Sequence, residues 1–430
     1  MKPVSIKIHK LGMIDESDEI ILNNFMIFSG ESGLGKSYIS IICHYIFSVL
    51  LDTKRISGYF NSQEFDIDRI HKDLKDGPLE LGISKSEFEK WLSEDAVTWL
   101  SYMVKANNLN GKVTIKLPAS VPDMIICKVA DEIVEIGDNV ETYINIQVPG
   151  LSYKIKDANG MAEESPFAYL FRFYLIQEIF GKFTDLTESY VLPPSRGMML
   201  TESVIPITGM YAEFQKAIQT MLMAKPNKLK LPDELTALIR DVLDGHVERR
   251  EGQYIYSTNG EEMPLSAAAA SVRELASLEF LVNNTDISTM SLMIDEPEAH
   301  LHPLKQRMMA DILSCMIQAG SCVQVTTHSD YFLRRINELV LKYELRDDLK
   351  EKNDYSQYVA LCEYLHDNPN LVLDPSKVSA YLLKRTEDNR SVVIKQNIDR
   401  GVPFSSFHKA LDDSLRIKSK LEELFEDADD

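Results

Sequence analysis

The stretch NNFMIFSGESGLGKSYIS, residues 23–40, constrains this chain more than any other. An apolar run rich in aromatic and branched residues leads into Gly30-Glu31-Ser32-Gly33-Leu34-Gly35-Lys36-Ser37, and a long apolar segment follows. The pattern G-x-x-x-x-G-K-[ST] needs a strand before it and a helix after it. Its glycines must turn consecutive backbone N–H groups inward around a phosphate chain. Gly30, Ser32, Gly33 and Gly35 would form that cradle, and the helix would add the positive end of its dipole. Lys36 would then reach the β- and γ-phosphates, and the Ser37 hydroxyl would complete a Mg²⁺ shell.

Two further segments supply what such a loop lacks. In SLMIDEPEAHLHP, residues 291–303, a mostly apolar strand delivers Asp295 to its end, where it can hold Mg²⁺ through water. The adjacent Glu296 is placed to polarise an attacking water. In VQVTTHSDYF, residues 323–332, a β-branched strand ends in His328. The carboxyl edge of an open α/β sheet is where polar groups meet a ligand, so His328 is expected on the γ-phosphate. His300 and His302 sit two apart in a loop with no cysteine nearby, which reads as loop chemistry rather than a metal pair.

Composition sets outer bounds. The 430 residues suffice for two or three domains, with 44% hydrophobic and 26% charged residues. A formal charge of −20 argues against a surface that binds polyanions throughout, although a local basic patch around Lys225, Lys228, Lys230, Arg249 and Arg250 could bind DNA. The opening MKPVSIKIHKLG lacks the apolar core of a secretory signal. YISIICHYIFSVLL carries His44 and is too short to span a membrane. Five scattered cysteines without a CxxC pair read as thiols in a reducing compartment, and a cytoplasmic location is expected.

Strands are expected at 4–9, 20–29, 289–294 and 321–327, and helices at 36–51, 164–181, 266–284 and 303–319. Residues 62–107 read as helical and acidic, 112–156 as short β-runs, and 207–224 with 231–244 as an antiparallel helix pair. Hairpins are expected at 246–264 and 378–396. A closing amphipathic helix carries Phe404, Phe407, Leu411 and Leu415. The fold class is therefore α/β, a mixed sheet flanked by helices.

Taken in order, the glycine loop, IDEPEAHLHP and TTHS resemble the ATP-binding-cassette ATPases of the SMC/RecF type. More narrowly, they resemble the ATPase halves of the OLD family and of related bacterial anti-phage systems, such as the AriA subunit of PARIS. The resemblance covers the first 50 residues and about 188–335. It implies ATP and Mg²⁺ as cofactors and an ABC-type head at 1–51, 188–204 and 246–345. An inserted α+β lobe would occupy 52–187, a short helical arm 205–245 and a C-terminal extension 346–430. It also implies head-to-tail pairing of two copies, with each ATP closed by the partner's signature helix. In this sequence the signature reads PLSAAAASVRELASLEFLV (264–282), where Ser271 falls on the usual glycine and alanines replace the usual serines. The loop LPPSRG matches the family's LPA-x-R element and points to Arg196 as a phosphate-sensing or interface residue. OLD nucleases append a Toprim domain. Here the one D-x-D, Asp427-Ala428-Asp429, lies in a charged tail, so any effector is expected to be a separate protein. The implied role is a defence sensor or scaffold. The alternative is a repair ATPase that closes around DNA.

Overall fold

The computed structural model describes residues 2–62, 65, 70, 74, 77–107, 109–136, 139–156, 164–181, 186–201, 205–223, 232–399, 401–403 and 405–426. A ten-stranded mixed sheet organises the molecule. From one edge its strands are Glu188–Leu192, Met290–Asp295, Cys322–Thr327, Phe25–Gly30, Val378–Arg385, Ser391–Lys395, Ile14–Ser17, Ser5–Leu11 and Ile20–Ile21. Lys112–Lys116 also pairs with Ser5–Leu11. The first five run parallel to one another. The expected class, α/β with a mixed sheet between helices, is the one found.

The three strands that carry the motifs are neighbours. Every residue of Phe25–Gly30, Met290–Asp295 and Cys322–Thr327 is buried, as parallel strands covered on both faces require. Alternation along the loop strand divides the core. Met26 and Phe28 pack with the helix Lys36–Leu51, whereas Phe25 and Ile27 face the layer built from Ala270–Asn284, Pro303–Ala319 and Asp330–Glu351. The register pairs Ser29 with Thr327 and Thr326 with Asp295, so all three motifs emerge at one edge.

Inserted sequence builds the outlying parts. Leu79–Ser84, Met124–Ile136, Asn139–Val148 and Leu151–Ile155 form a four-stranded antiparallel sheet. The helices Thr53–Ser62, Lys85–Val104 and Pro166–Phe180 pack against one another, with Phe88 edge-on to Phe171 at 4.9 Å, and Phe180 stacks on Phe47 of the helix Lys36–Leu51 at 5.5 Å. Where a helical arm is expected, the helices Gly209–Met223 and Asp233–Leu243 pack Phe214, Ile218, Leu235 and Ile239 into the same core as the central strands. The hairpin expected at 246–264 is a three-stranded sheet, His246–Arg250, Gln253–Thr258 and Glu261–Pro264. It turns at Asn259 and Gly260, both with positive φ.

Several expectations need correction. The strand expected at 20–29 is broken, because the Asn23 side chain accepts from the Asn24 N–H and turns the chain. Leu79–Ser84 is a strand inside a segment read as helical, and Ser84 then caps the helix Lys85–Val104. Lys112–Lys116 belongs to the central sheet although it falls within the expected lobe. Val378–Arg385, from the expected C-terminal extension, lies beside the loop strand. The closing helix forms at Ser405–Glu426, yet Leu415 is exposed rather than buried. Phe404 and Asp427-Ala428-Asp429 lie outside the described residues. No described helix is long and apolar enough to cross a membrane.

Candidate nucleotide site

The glycine loop runs from the end of the loop strand to the first turn of Lys36–Leu51. Gly30, Gly33 and Gly35 have φ of 135°, 78° and 95°, values that side-chain-bearing residues rarely adopt. A Cβ on Gly30 would meet the Leu383 carbonyl oxygen at 2.5 Å, so the neighbouring strand also excludes one. Lys36 is buried and donates Nζ to the carbonyls of Gly30 and Glu31, each at 2.9 Å. Burial lowers its pKa, while Glu296 and Asp295 oppose that shift. The ammonium is thus held inside the loop it is expected to serve.

Ser37 donates to both oxygens of Asp295, at 3.0 and 2.8 Å. Thr326, on the adjacent strand, donates its hydroxyl to Asp295 as well. Burial raises the Asp295 pKa, and these two hydroxyls pull it back. A hydroxyl and a carboxylate converging beside a phosphate loop form a hard oxygen donor set of the kind Mg²⁺ takes. Ser37 and Asp295 would hold that ion, which when bound neutralises charge on the transferring phosphate.

Glu296 follows in the left-handed region, at φ 52°. Its N–H is held by the Thr326 carbonyl at 3.2 Å, which turns the side chain out of the sheet. The His328 ring nitrogen Nδ1 stands 3.3 Å from Glu296 Oε1. The expected water-activating and γ-phosphate groups therefore sit side by side. A cavity of about 270 Å³ joins Gly33, Lys36, Ser37 and Glu296, with Met13 and Tyr38 at its margin. Ser32 lines the same cavity.

Three contributors escaped sequence reasoning. Thr326 braces both acids of the pair. Glu298 is buried, and its Oε1 accepts from the Thr327 hydroxyl at 2.7 Å and the His328 N–H at 2.9 Å. It fixes the backbone that presents His328, and its place two residues after Glu296 was the available signal. Met13 comes from the turn of an N-terminal hairpin, which no local pattern connects to the loop.

Neither Ser271 nor Arg196 lines that cavity, although Arg196 follows the strand beside Asp295 and lies within electrostatic reach of Asp295 and Glu298. Ser271 is in the first turn of Ala270–Asn284, on the opposite side of the sheet from the glycine-loop helix. The helix has no side-chain cap at Ala269. Arg196 is 1% exposed. It donates Nε to the Glu274 carbonyl at 3.2 Å and to the Ser277 hydroxyl at 3.1 Å, and Nη1 to the Pro193 carbonyl at 3.3 Å. In this protomer the guanidinium expected at a phosphate or an interface clamps its own loop to the signature helix, because burial has to satisfy its donors locally. His302 caps Pro303–Ala319, its Nδ1 accepting from Leu304 N–H at 3.4 Å.

Residues 199–333 match the family described as an AAA ATPase domain, which is less than half of the chain and omits the glycine loop. No curated protein is similar enough in sequence to match. Similar solved structures include an Smc head bound to the C-winged helix domain of ScpA, 10% identical, with 93% of this chain and 98% of that one covered at a TM-score of 0.40. The SMC head domain from Thermotoga maritima is also 10% identical, covering 93% and 100% at 0.33. An Smc head with an extended coiled coil, bound to the C-terminal domain of ScpA derived from Pyrococcus furiosus, is 10% identical, covering 98% and 100% at 0.36. The matched segment carries Asp295, Glu296 and His328, and the family it matches is one of ATPases.

Proposed function

We propose that the chain is an ABC-type ATPase of the SMC-like kind. Two copies pair head to tail on ATP, and the cycle controls a separate effector protein in bacterial defence against phage. The observation that carries the ATPase reading is the convergence of Lys36, Ser37, Asp295, Glu296 and His328 at one sheet edge. The in-line water attack would use Glu296 to orient and deprotonate the water, with Lys36 and His328 offsetting charge on the γ-phosphate. The pairing reading rests on the uncapped start of the signature helix, whose free N–H groups and Ser271 hydroxyl suit the phosphate of a second copy. The defence role rests on the resemblance of the motifs alone.

The alternative is a repair ATPase that closes around DNA through a local basic patch. Lys225, Lys228 and Lys230 lie outside the described residues. Of the remaining basic residues, Arg250 is engaged by two carboxylates, Glu248 and Glu262, which outnumber its charge.

The test is phosphate release and molar mass measured on the purified chain with ATP and Mg²⁺. Turnover with an ATP-dependent rise in mass is expected. A chain that binds no ATP would overturn the enzyme reading, and turnover at constant monomer mass would overturn the pairing. Salt-dependent DNA binding would favour the repair alternative, whereas co-purification with the product of a neighbouring gene would favour an effector.

A further inference from the structure

A loop whose N–H groups converge on a phosphate turns its carbonyls the other way, and buried carbonyls need donors. Two of them, on Gly30 and Glu31, are held by Lys36, the group expected on the phosphate itself. The Leu34 carbonyl is held from outside the site. Ser391, 357 positions along the chain, donates its hydroxyl to that oxygen at 2.7 Å. Its own N–H donates to the Met13 carbonyl at 2.9 Å. Ser391 is 0% exposed, so solvent does not compete for either bond.

These two acceptors belong to two walls of the nucleotide cavity. Met13 lines it from the turn between Ser5–Leu11 and Ile14–Ser17, and Gly33 and Gly35 line it from the glycine loop. The Leu34 carbonyl and the Gly35 N–H share one peptide plane, and a trans peptide points them in opposite directions. Holding the carbonyl therefore aims the Gly35 N–H away from Ser391, which is not among the residues that line the cavity. With glycine on both sides of Leu34, the chain itself does little to fix that plane.

The preceding residue braces the turn. Arg390 donates Nη2 to the carbonyls of Gly12 and Ile14, at 3.2 and 3.3 Å, and Nε to Asp15 at 2.9 Å. The strand pairing passes from Ser391–Ile14 to Val392–Glu16, which leaves Asp15 as the extra residue of a bulge, free to take Arg390. The turn also sits tight against the site. A Cβ on Gly12 would meet the Tyr38 ring at 2.6 Å, and one on Gly35 would meet Ile14 at 3.0 Å. The C-terminal hairpin, Val378–Arg385 with Ser391–Lys395, thus holds the glycine loop and the N-terminal turn together.

We infer that Ser391 is a positioning residue of the nucleotide site, fixing the Gly35 N–H and the Met13 wall at once, with Arg390 bracing that wall. The inference rests on the reading of this cavity as an ATP site. The Ser391 hydroxyl serves the loop and not Glu296 or His328, so it acts on the binding of nucleotide and not on the attack by water.

The test compares full-length wild-type protein with Ser391→Ala and Ser314→Ala. Ser314 is equally buried and donates to the Val372 carbonyl at 2.8 Å, so its loss is a matched structural control away from the site. Hydrolysis of ATP with Mg²⁺, thermal midpoints and amide hydrogen exchange without nucleotide are measured on all three. Ser391→Ala should raise KM about 10-fold at unchanged kcat, as loss of a contact that serves ground state and transition state alike implies. Ser314→Ala should lower the thermal midpoint by a similar amount and keep the wild-type KM. Without nucleotide, exchange across residues 33–40 should quicken about 5-fold or more in Ser391→Ala alone. An unchanged KM in Ser391→Ala, an equal rise in Ser314→Ala, or a loss confined to kcat would overturn the inference. Wild-type protein that neither binds nor hydrolyses ATP would overturn the ATPase reading instead. In that case unchanged exchange in Ser391→Ala would overturn the hold on the loop by itself, and faster exchange would uphold it.

Discussion

Ser37 donates its hydroxyl to Asp295 at 2.8 Å although 258 residues separate the two. One bond thus joins the glycine loop to the acidic strand, and the Mg²⁺ reading rests on it. Lys36→Ala should weaken ATP binding about 100-fold or more, as loss of a buried charge-assisted contact implies. Chelating Mg²⁺ should weaken ATP binding by the wild-type chain, and Asp295→Asn should flatten that dependence. Titration with a fluorescent nucleotide reads both effects. Normal affinity in Lys36→Ala would refute the site.

Glu296 and His328 face each other at 3.3 Å. Glu296→Gln should keep ATP binding and slow phosphate release by about 10²- to 10⁴-fold, the usual worth of a general base. Single-turnover kinetics with labelled ATP measures this. Loss of binding in step with turnover would make Glu296 a ligand-holding group instead.

Arg196 is buried against Glu274. Arg196→Ala should cost about 3–5 kcal/mol, since it strands a buried acid and removes three hydrogen bonds. Chemical denaturation gives that difference. A fully stable variant that loses ATP-dependent pairing would return Arg196 to the interface.

His44 is buried, with Nδ1 3.0 Å from Gln324 Oε1 and Nε2 3.0 Å from the Ser189 hydroxyl. Burial lowers its pKa from 6.5 to about 4. A lowered folded pKa means that the unfolded chain takes up the proton first. The contribution is whole above about pH 6.5 and is lost as pH falls toward 4. Its size is about 3 kcal/mol at most. His44→Gln should lessen the fall in stability across that window, read from thermal midpoints of the two proteins. Parallel pH profiles would exclude the effect.

Gly30→Ala should destabilise by about 1–3 kcal/mol, because φ is positive and the Cβ has no room beside Leu383. It should also abolish ATP binding, whereas Gly33→Ala meets no atom within 4 Å and pays only the backbone strain. Equal losses in the two variants would mean that conformation alone governs the loop.

The motif residues were legible because each chemistry demands a local context, a strand end or a strand-to-helix turn, that sequence displays. The helices Lys36–Leu51 and Pro303–Ala319 were legible for the same reason, the second through its proline start. Sheet membership was not legible. Val378–Arg385 reads as one arm of a hairpin, and only its other edge, bonded to the loop strand, makes it part of the head. Thr326 and Glu298 looked like ordinary strand and loop residues, since their partners arrive from a neighbouring strand.

By itself, then, the sequence determined the glycine loop, the acidic pair, the strand-end histidine and the helices around them, all of which depend on spacing along the chain. Tertiary structure decided who meets whom. Parallel register brought three distant motifs to one edge, and burial made the Arg196 expected at a phosphate or an interface a clamp on the signature helix. Those outcomes depend on which strand pairs with which and which face is buried, and neither is written in local periodicity.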